Sequence, residues 1–134
     1  MLLVAVDSWR KWALFGVPDG CPWSKGSVAL LGDAVHAMLP FAAQGAGMAI
    51  EDAAVLARHL SLEAAESSKQ VAAALTQYGR ARQARVRRVQ RTARQQGRIY
   101  HFNGPLALAR DLAIRALGPE RMLARQDWIY GWRP

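Results

Sequence analysis

Cys21 is the one cysteine among 134 residues. A lone cysteine excludes an internal disulfide framework and fits a reducing cytoplasm. No CxxC or HExxH occurs, and no His/Cys cluster has metal-ligand spacing, so no metal site is expected. Long apolar runs are missing too. The longest stretch poor in charge, residues 28–50, is interrupted by Asp33, by Pro40 and by glycines, so it cannot span a membrane. The opening MLLVAVDSWRK is apolar for only five residues after Met1, too short for a signal-peptide core. GxGxxG is also absent: Gly16, Gly20, Gly26 and Gly32 have the wrong spacing for a phosphate-binding βαβ turn.

What is present is a 51% apolar chain, enough to build the core of about one small domain. The net charge of +8 is unevenly spread. Residues 1–79 hold five Lys/Arg against seven Asp/Glu, whereas residues 80–134 hold thirteen against three. Such a split fits a nucleic-acid or membrane surface, or a face that meets an acidic partner or ligand.

Residues 2–6 and 12–15 are short apolar runs that read as strands, and residues 28–31 (VALL) read as a strand buried on both faces. Between them GVPDGCPWSKGS reads as a loop. A helix is expected from about residue 45 to 60, with Ile50, Ala53, Ala54, Leu56 and Ala57 at helical spacing. A longer one is expected from residue 63 or 67 to about 96. Gly79 is its weak point, and Leu75, Tyr78, Val86, Val89 and Ala93 form a thin apolar stripe among eight arginines between Arg80 and Arg98. Asn103-Gly104-Pro105 is a stop and restart signal, with Pro105 suited to the first turn of a helix that ends at Gly118-Pro119. A short final helix is expected before DWIYGWRP. The class is α+β: a few strands (residues 1–31), a glycine-rich motif and helix (32–60), then a helical tail (61–134). A central strand needs neighbours on both edges, and too few strands are supplied. A sheet whose other strands lie in sequence outside this chain would explain the inventory.

The segment LGDAVHAMLPFAAQGAGMAIED, residues 31–52, concentrates the chemistry. Ligands in open α/β sheets bind beyond the carboxyl ends of strands. Gly32 would let backbone approach there, and Asp33 could accept hydrogen bonds from a ligand hydroxyl or merely cap a turn. Gly45, Ala46, Gly47 and Met48 open a helix, where bare backbone N–H groups and the positive end of the helix dipole favour negative charge. Glu51 and Asp52 lie near that start, where acidic side chains suit the dipole. Pro40 stiffens the approach. His36 reads most simply as a partly buried, hydrogen-bonded histidine.

The string GDAVHAMLPFAAQGAGMAIEDAAVLA resembles the second FAD-binding motif of the class A flavoprotein monooxygenases, the group that includes 4-hydroxybenzoate hydroxylase and salicylate hydroxylase. It agrees with GDAAHxxxPxxxQGxNxAxEDAxxLA at Gly32, Asp33, Ala34, His36, Pro40, Gln44, Gly45, Ala49, Glu51, Asp52, Leu56 and Ala57. WALFGVPDGCPWSKGSVALLGD is similar to the strands that precede that motif. YGRARQARVRRVQ and RIYHFNGPLALARDL are similar to the tail of salicylate-hydroxylase-like members. Two positions depart: Gly47 replaces an asparagine and Val35 an alanine.

The resemblance implies an α/β FAD-binding (glutathione-reductase-like) fold, of which this would be the carboxy-terminal part. It implies that Asp33, next to Gly32, hydrogen-bonds the ribityl chain of FAD, that the backbone of Gly45, Ala46, Gly47 and Met48 faces the pyrimidine edge of the flavin, and that Pro40 lies against the ring. It further implies hydroxylation of an activated aromatic substrate with NAD(P)H as reductant. The ADP half of FAD would need the GxGxxG unit that is lacking, so the chain alone is expected to be inactive. No catalytic acid or base is assigned; His36 and His101 are candidates only as titratable groups. Two rival readings stand. One is nonspecific nucleic-acid binding by the helical face of Arg80, Arg87, Arg91, Arg94 and Arg98. The other is a non-catalytic chain that completes a sheet supplied by a separate amino-terminal partner, with self-association of the isolated chain as a corollary.

Overall fold

The computed structural model of the chain describes residues 7–62 and 67–133. Its elements are a two-stranded hairpin, β1 (Ser24–Lys25) and β2 (Val28–Ala29), and then helices. These are α1 (Asp33–His36), a 3₁₀ turn (Pro40–Ala42), α2 (Gly45–Leu62), α3 (Ser68–Tyr100), α4 (Gly104–Ala124) and α5 (Asp127–Tyr130). The strands pair antiparallel, Ser24 opposite Ala29 and Lys25 opposite Val28.

The strand expectations need correcting. Residues 2–6 lie outside the described residues. Residues 12–15 form no strand, and Trp12 and Phe15 are exposed. Of residues 28–31 only Val28 and Ala29 are strand, and Val28, Leu30 and Leu31 are exposed rather than buried on both faces. The physical reason is pairing: a central strand is buried by neighbours on each edge, and among the described residues β2 has a single two-residue neighbour. Among the described residues the chain is therefore mostly helical.

Helix α3 is the spine. Ser67 caps it, its Oγ accepting the Gln70 N–H at 3.3 Å. The expected stripe of Leu75, Tyr78, Val86, Val89 and Ala93 is buried, and it packs against α2, the 3₁₀ turn and the hairpin. Gly79 is no weak point. The helix continues through it, and a Cβ there would lie 2.9 Å from Trp23 Cβ, so the missing side chain lets Trp23 reach the core. Gly97 does the same for the ring of Phe41. The core gathers Trp23, Val35, Met48, Tyr78, Val86 and Val89, with Trp23 edge-on to Tyr78 at 5.6 Å.

Helix α2 buries a different face from the one its apolar residues suggested. Ile50 is 72% exposed, while Met48 and Asp52 are fully buried and Val55 and Leu56 pack behind them. Those four are spaced i, i+4, i+7, i+8, so the face is helical but includes a carboxylate. Pro105 sits in the first turn of α4 as expected, and Gly118 (φ 70°, ψ 167°) breaks that helix ahead of Pro119. No α4 residue is buried.

The carboxy-terminal segment is held by arginines of α3. Arg85 donates to the carbonyls of Trp128 and Ile129, both at 3.0 Å. Arg88 stacks over Trp128 at 3.8 Å, and Arg82 and Arg85 lie 5.1 and 5.2 Å from the Trp132 ring.

Candidate functional site

Gly32 takes φ 59° and ψ −142°, a conformation open to glycine and strained for other residues. It reverses the chain between β2 and α1. A Cβ at Gly32 would also come within 3.2 Å of Ala49 Cβ, so the turn can lie directly on α2. Asp33 follows as the exposed first residue of α1, not as the last residue of a strand. Its Oδ1 lies 3.9 Å from the point a Cβ on Gly45 would occupy. The two halves of the sequence motif, GD and QGAG, thus meet in space.

At the start of α2 the N–H of Met48 donates to the Gln44 carbonyl at 2.8 Å, the first bond of the helix. The N–H groups of Gly45, Ala46 and Gly47 precede that bond, so the helix itself offers them no carbonyl one turn back, and they lie at its positive end. Met48 differs from the other three: its N–H is engaged and its side chain is fully buried in the core. Pro40 is exposed at the head of the 3₁₀ turn, which closes with the Ala43 N–H on the Pro40 carbonyl at 3.0 Å and Ala43 at φ 50°.

Beneath this surface lies a buried polar cluster that the sequence did not announce. Asp52 accepts the Gly32 N–H at 2.9 Å and His36 Nε2 at 2.5 Å on one oxygen, and Arg82 Nε at 2.8 Å on the other. Glu51, beside it, takes Arg82 Nη2 at 2.7 Å and both Nε and Nη2 of Arg85, at 2.6 and 2.5 Å. Burial alone would push the Asp52 carboxyl up. The hydrogen bonds from His36, Arg82 and the Gly32 N–H outweigh it, and the group ends below its ordinary value. Asp52 thus serves as the acceptor for the Gly32 N–H and for Arg82 Nε. His36 Nδ1 is buried and has no hydrogen-bond partner among the described residues. Burial and the nearby Asp52 charge push the Tyr78 phenol up, against a smaller opposing effect of Arg82. Tyr78 donates to the Leu30 carbonyl at 3.1 Å.

His36 therefore belongs to the cluster that supports the motif. His101, the other titratable candidate, lies away from it: it caps α3, with Nδ1 2.6 Å from the Gly97 carbonyl and its ring edge-on to Phe41. Glu51 and Asp52 face the arginines of α3 rather than their own helix terminus. The available signal was a pair of adjacent carboxylates on one helix and arginines three apart on the next. Sequence could not give the register that joins them. Among the described residues, no three His, Cys, Asp or Glu side chains group as a metal site, and no helix is long and apolar enough to cross a membrane.

Residues 20–93 match the family described as FAD binding domain. The chain belongs to that family. The matched span contains the Gly32–Asp33 turn, the start of α2 and the whole Asp52 cluster, but not α4. The chain is 38% identical over 125 residues to 3-hydroxybenzoate 6-hydroxylase of Polaromonas naphthalenivorans (strain CJ2), covering 93% of this chain and 30% of that protein. It is 38% identical over 132 residues to a 3-amino-4-hydroxybenzoate 2-monooxygenase of Streptomyces platensis, covering 98% and 32%. It is 36% identical over 129 residues to salicylate hydroxylase of Pseudomonas putida, covering 96% and 29%. The chain spans about a third of the length of these curated relatives.

Proposed function

We propose that this chain is the flavin-contacting portion of a cytoplasmic, NAD(P)H-dependent FAD monooxygenase that hydroxylates an aromatic ring. The observation that carries the reading is the placement of the Asp33 carboxylate beside the open amino terminus of α2, 3.9 Å from the vacant side-chain position of Gly45. A flavin asks for this donor set. Its ribityl hydroxyls need an acceptor, and its pyrimidine edge, negative when reduced, needs N–H donors at a positive helix end.

In this assignment Asp33 accepts a ribityl hydroxyl. The N–H groups of Gly45, Ala46 and Gly47 face the pyrimidine edge; the Met48 N–H is committed to Gln44 and contributes through the helix only. Pro40 lines the ring from the 3₁₀ turn. FAD when bound supplies the oxygen chemistry; these residues bind and orient it. No side chain is assigned as acid or base. With no GxGxxG to hold the ADP half, the chain is inactive alone in this reading. The aromatic substrate class follows from the printed activities of the three relatives.

Quenching of flavin fluorescence on titration with the purified chain tests the assignment. Saturable quenching that Asp33→Ala weakens roughly ten- to hundredfold supports it, the loss expected for a hydrogen bond to a charged group. Quenching indifferent to Asp33→Ala sinks it.

Two other readings each have an observation in their favour. Trp12, Phe15, Val28, Leu30 and Leu31 are exposed, as a chain that completes a partner's sheet would leave them. A one-to-one complex with an amino-terminal polypeptide bearing GxGxxG would establish that reading. Arg80, Arg87, Arg91 and Arg98 are exposed along α3, while Arg94 pairs with Asp19 at 3.3 Å. DNA affinity falling steeply with salt, without flavin binding, would favour a nucleic-acid role.

A further inference from the structure

The buried cluster is asymmetric in a way that singles out one residue. Glu51 is held by two arginines, Arg82 and Arg85. Asp52 is held by only one, Arg82, together with His36 and the Gly32 N–H. Loss of Arg82 would leave the tie between α2 and α3 standing through Arg85 and Glu51. It would not leave Asp52 oriented, because among the described residues no second arginine hydrogen-bonds it.

We propose that Arg82 is a positioning residue for the Gly32–Asp33 turn: by fixing the Asp52 carboxylate it holds the Gly32 N–H, and so sets where Asp33 meets the start of α2. The proposal rests on the flavin reading above for its functional meaning, but not for its geometry. Asp52 is fully buried and Arg82 is 2% exposed, so the pair works without competition from water. The carboxylate uses Oδ1 for Arg82 and Oδ2 for both Gly32 and His36. A carboxyl deprived of its cation would take a proton or rotate, and either change disturbs the oxygen that Gly32 needs. Gly32 cannot absorb the disturbance elsewhere: its left-handed turn lies within 3.2 Å of Ala49 when measured from a Cβ position. His36 and Arg82 contact Asp52 directly, Tyr78 lies near enough to feel its charge, and Glu51 and Arg85 lie beyond.

Amide hydrogen exchange on the full chain, without flavin, tests this directly. Arg82→Met should speed exchange of the Gly32 amide at least tenfold while the amides of Val86 and Val89 keep their protection. Arg85→Met, which removes a partner of Glu51 and of the Trp128 and Ile129 carbonyls but none of Asp52, should leave Gly32 unchanged. Arg82→Lys keeps a charge but offers a single ammonium in place of the Nε and Nη2 fork, and should give an intermediate Gly32 rate. Wild-type Gly32 exchange in Arg82→Met, or an equal effect of Arg85→Met, overturns the proposal. If Arg82→Met loses protection at Val86 and Val89, Arg82→Lys decides: faster Gly32 exchange supports the relay and a wild-type rate overturns it. Global loss of protection in both would mean that Arg82 holds the whole fold, and the proposal falls. FAD titration of the same variants separates the two levels. Affinity falling at least fivefold in step with Gly32 exchange joins the relay to the flavin site, and unchanged affinity with a released Gly32 breaks that join. A wild-type chain that does not bind FAD counts against the flavin reading, while the exchange rates still decide the relay.

Discussion

Asp52 Oδ1 and Arg82 Nε, thirty residues apart in sequence, lie 2.8 Å apart with both side chains buried. The pair joins α2 to α3, and through the other carboxylate oxygen it reaches the turn that carries Asp33. Removing one partner of a buried ion pair leaves an uncompensated charge, typically at a cost of about 3–5 kcal/mol. Asp52→Ala should therefore lower unfolding free energy in urea by about that amount, and a loss under 1 kcal/mol would contradict the cluster's role.

The same carboxylate makes stability depend on acidity. Its folded value lies below the ordinary 3.8, so its contribution is fully present above about pH 4 and is lost as pH falls through the lower, folded value. Denaturant unfolding between pH 2 and pH 6 should show this decline in the wild type and a flatter profile in Asp52→Asn.

Tyr78 should respond at the alkaline end. Its phenol is pushed up, so the neutral form is favoured by folding and stability is lost above about pH 10. Absorbance titration should show Tyr78 ionising only as the chain unfolds. Tyr78→Phe should cost about 1 kcal/mol through the lost bond to Leu30.

Gly79→Ala sets two effects against each other. Alanine gains up to about 1 kcal/mol of helix propensity, but its Cβ would sit 2.9 Å from Trp23 Cβ. Overpacking of a filled core costs about 1–3 kcal/mol, so the thermal midpoint should fall. A raised midpoint would mean that Trp23 moves freely.

Asp33→Ala should separate binding from folding. Asp33 is exposed and outside the buried cluster, so the unfolding free energy should change by no more than about 0.5 kcal/mol. A large destabilisation would mark Asp33 as a structural residue instead.

Much of the helical architecture could be read from the chain because its signals are local. The stripe on α3, Pro105 and the Gly118 break each act within a few residues. The strands could not be read that way. Apolar runs at residues 12–15 and 28–31 look like strands in isolation, yet strand formation is decided by a neighbour, and here the neighbour of β2 is two residues long. The inner face of α2 was misread because Asp52 occupies a core position, where apolar periodicity has no mark for a carboxylate.

The sequence by itself determined where the motif lies: Gly32 and Asp33 come ahead of a glycine-rich helix start, because residue type and spacing are local quantities. Only the tertiary structure decided how that motif is held. Arg82 and Arg85 are two of eight arginines on one helix, chemically alike in sequence. The packing of α3 on α2 gives these two their carboxylates and leaves Arg80, Arg87, Arg91 and Arg98 in solvent, because helix register against a neighbour is a long-range quantity that no local pattern encodes.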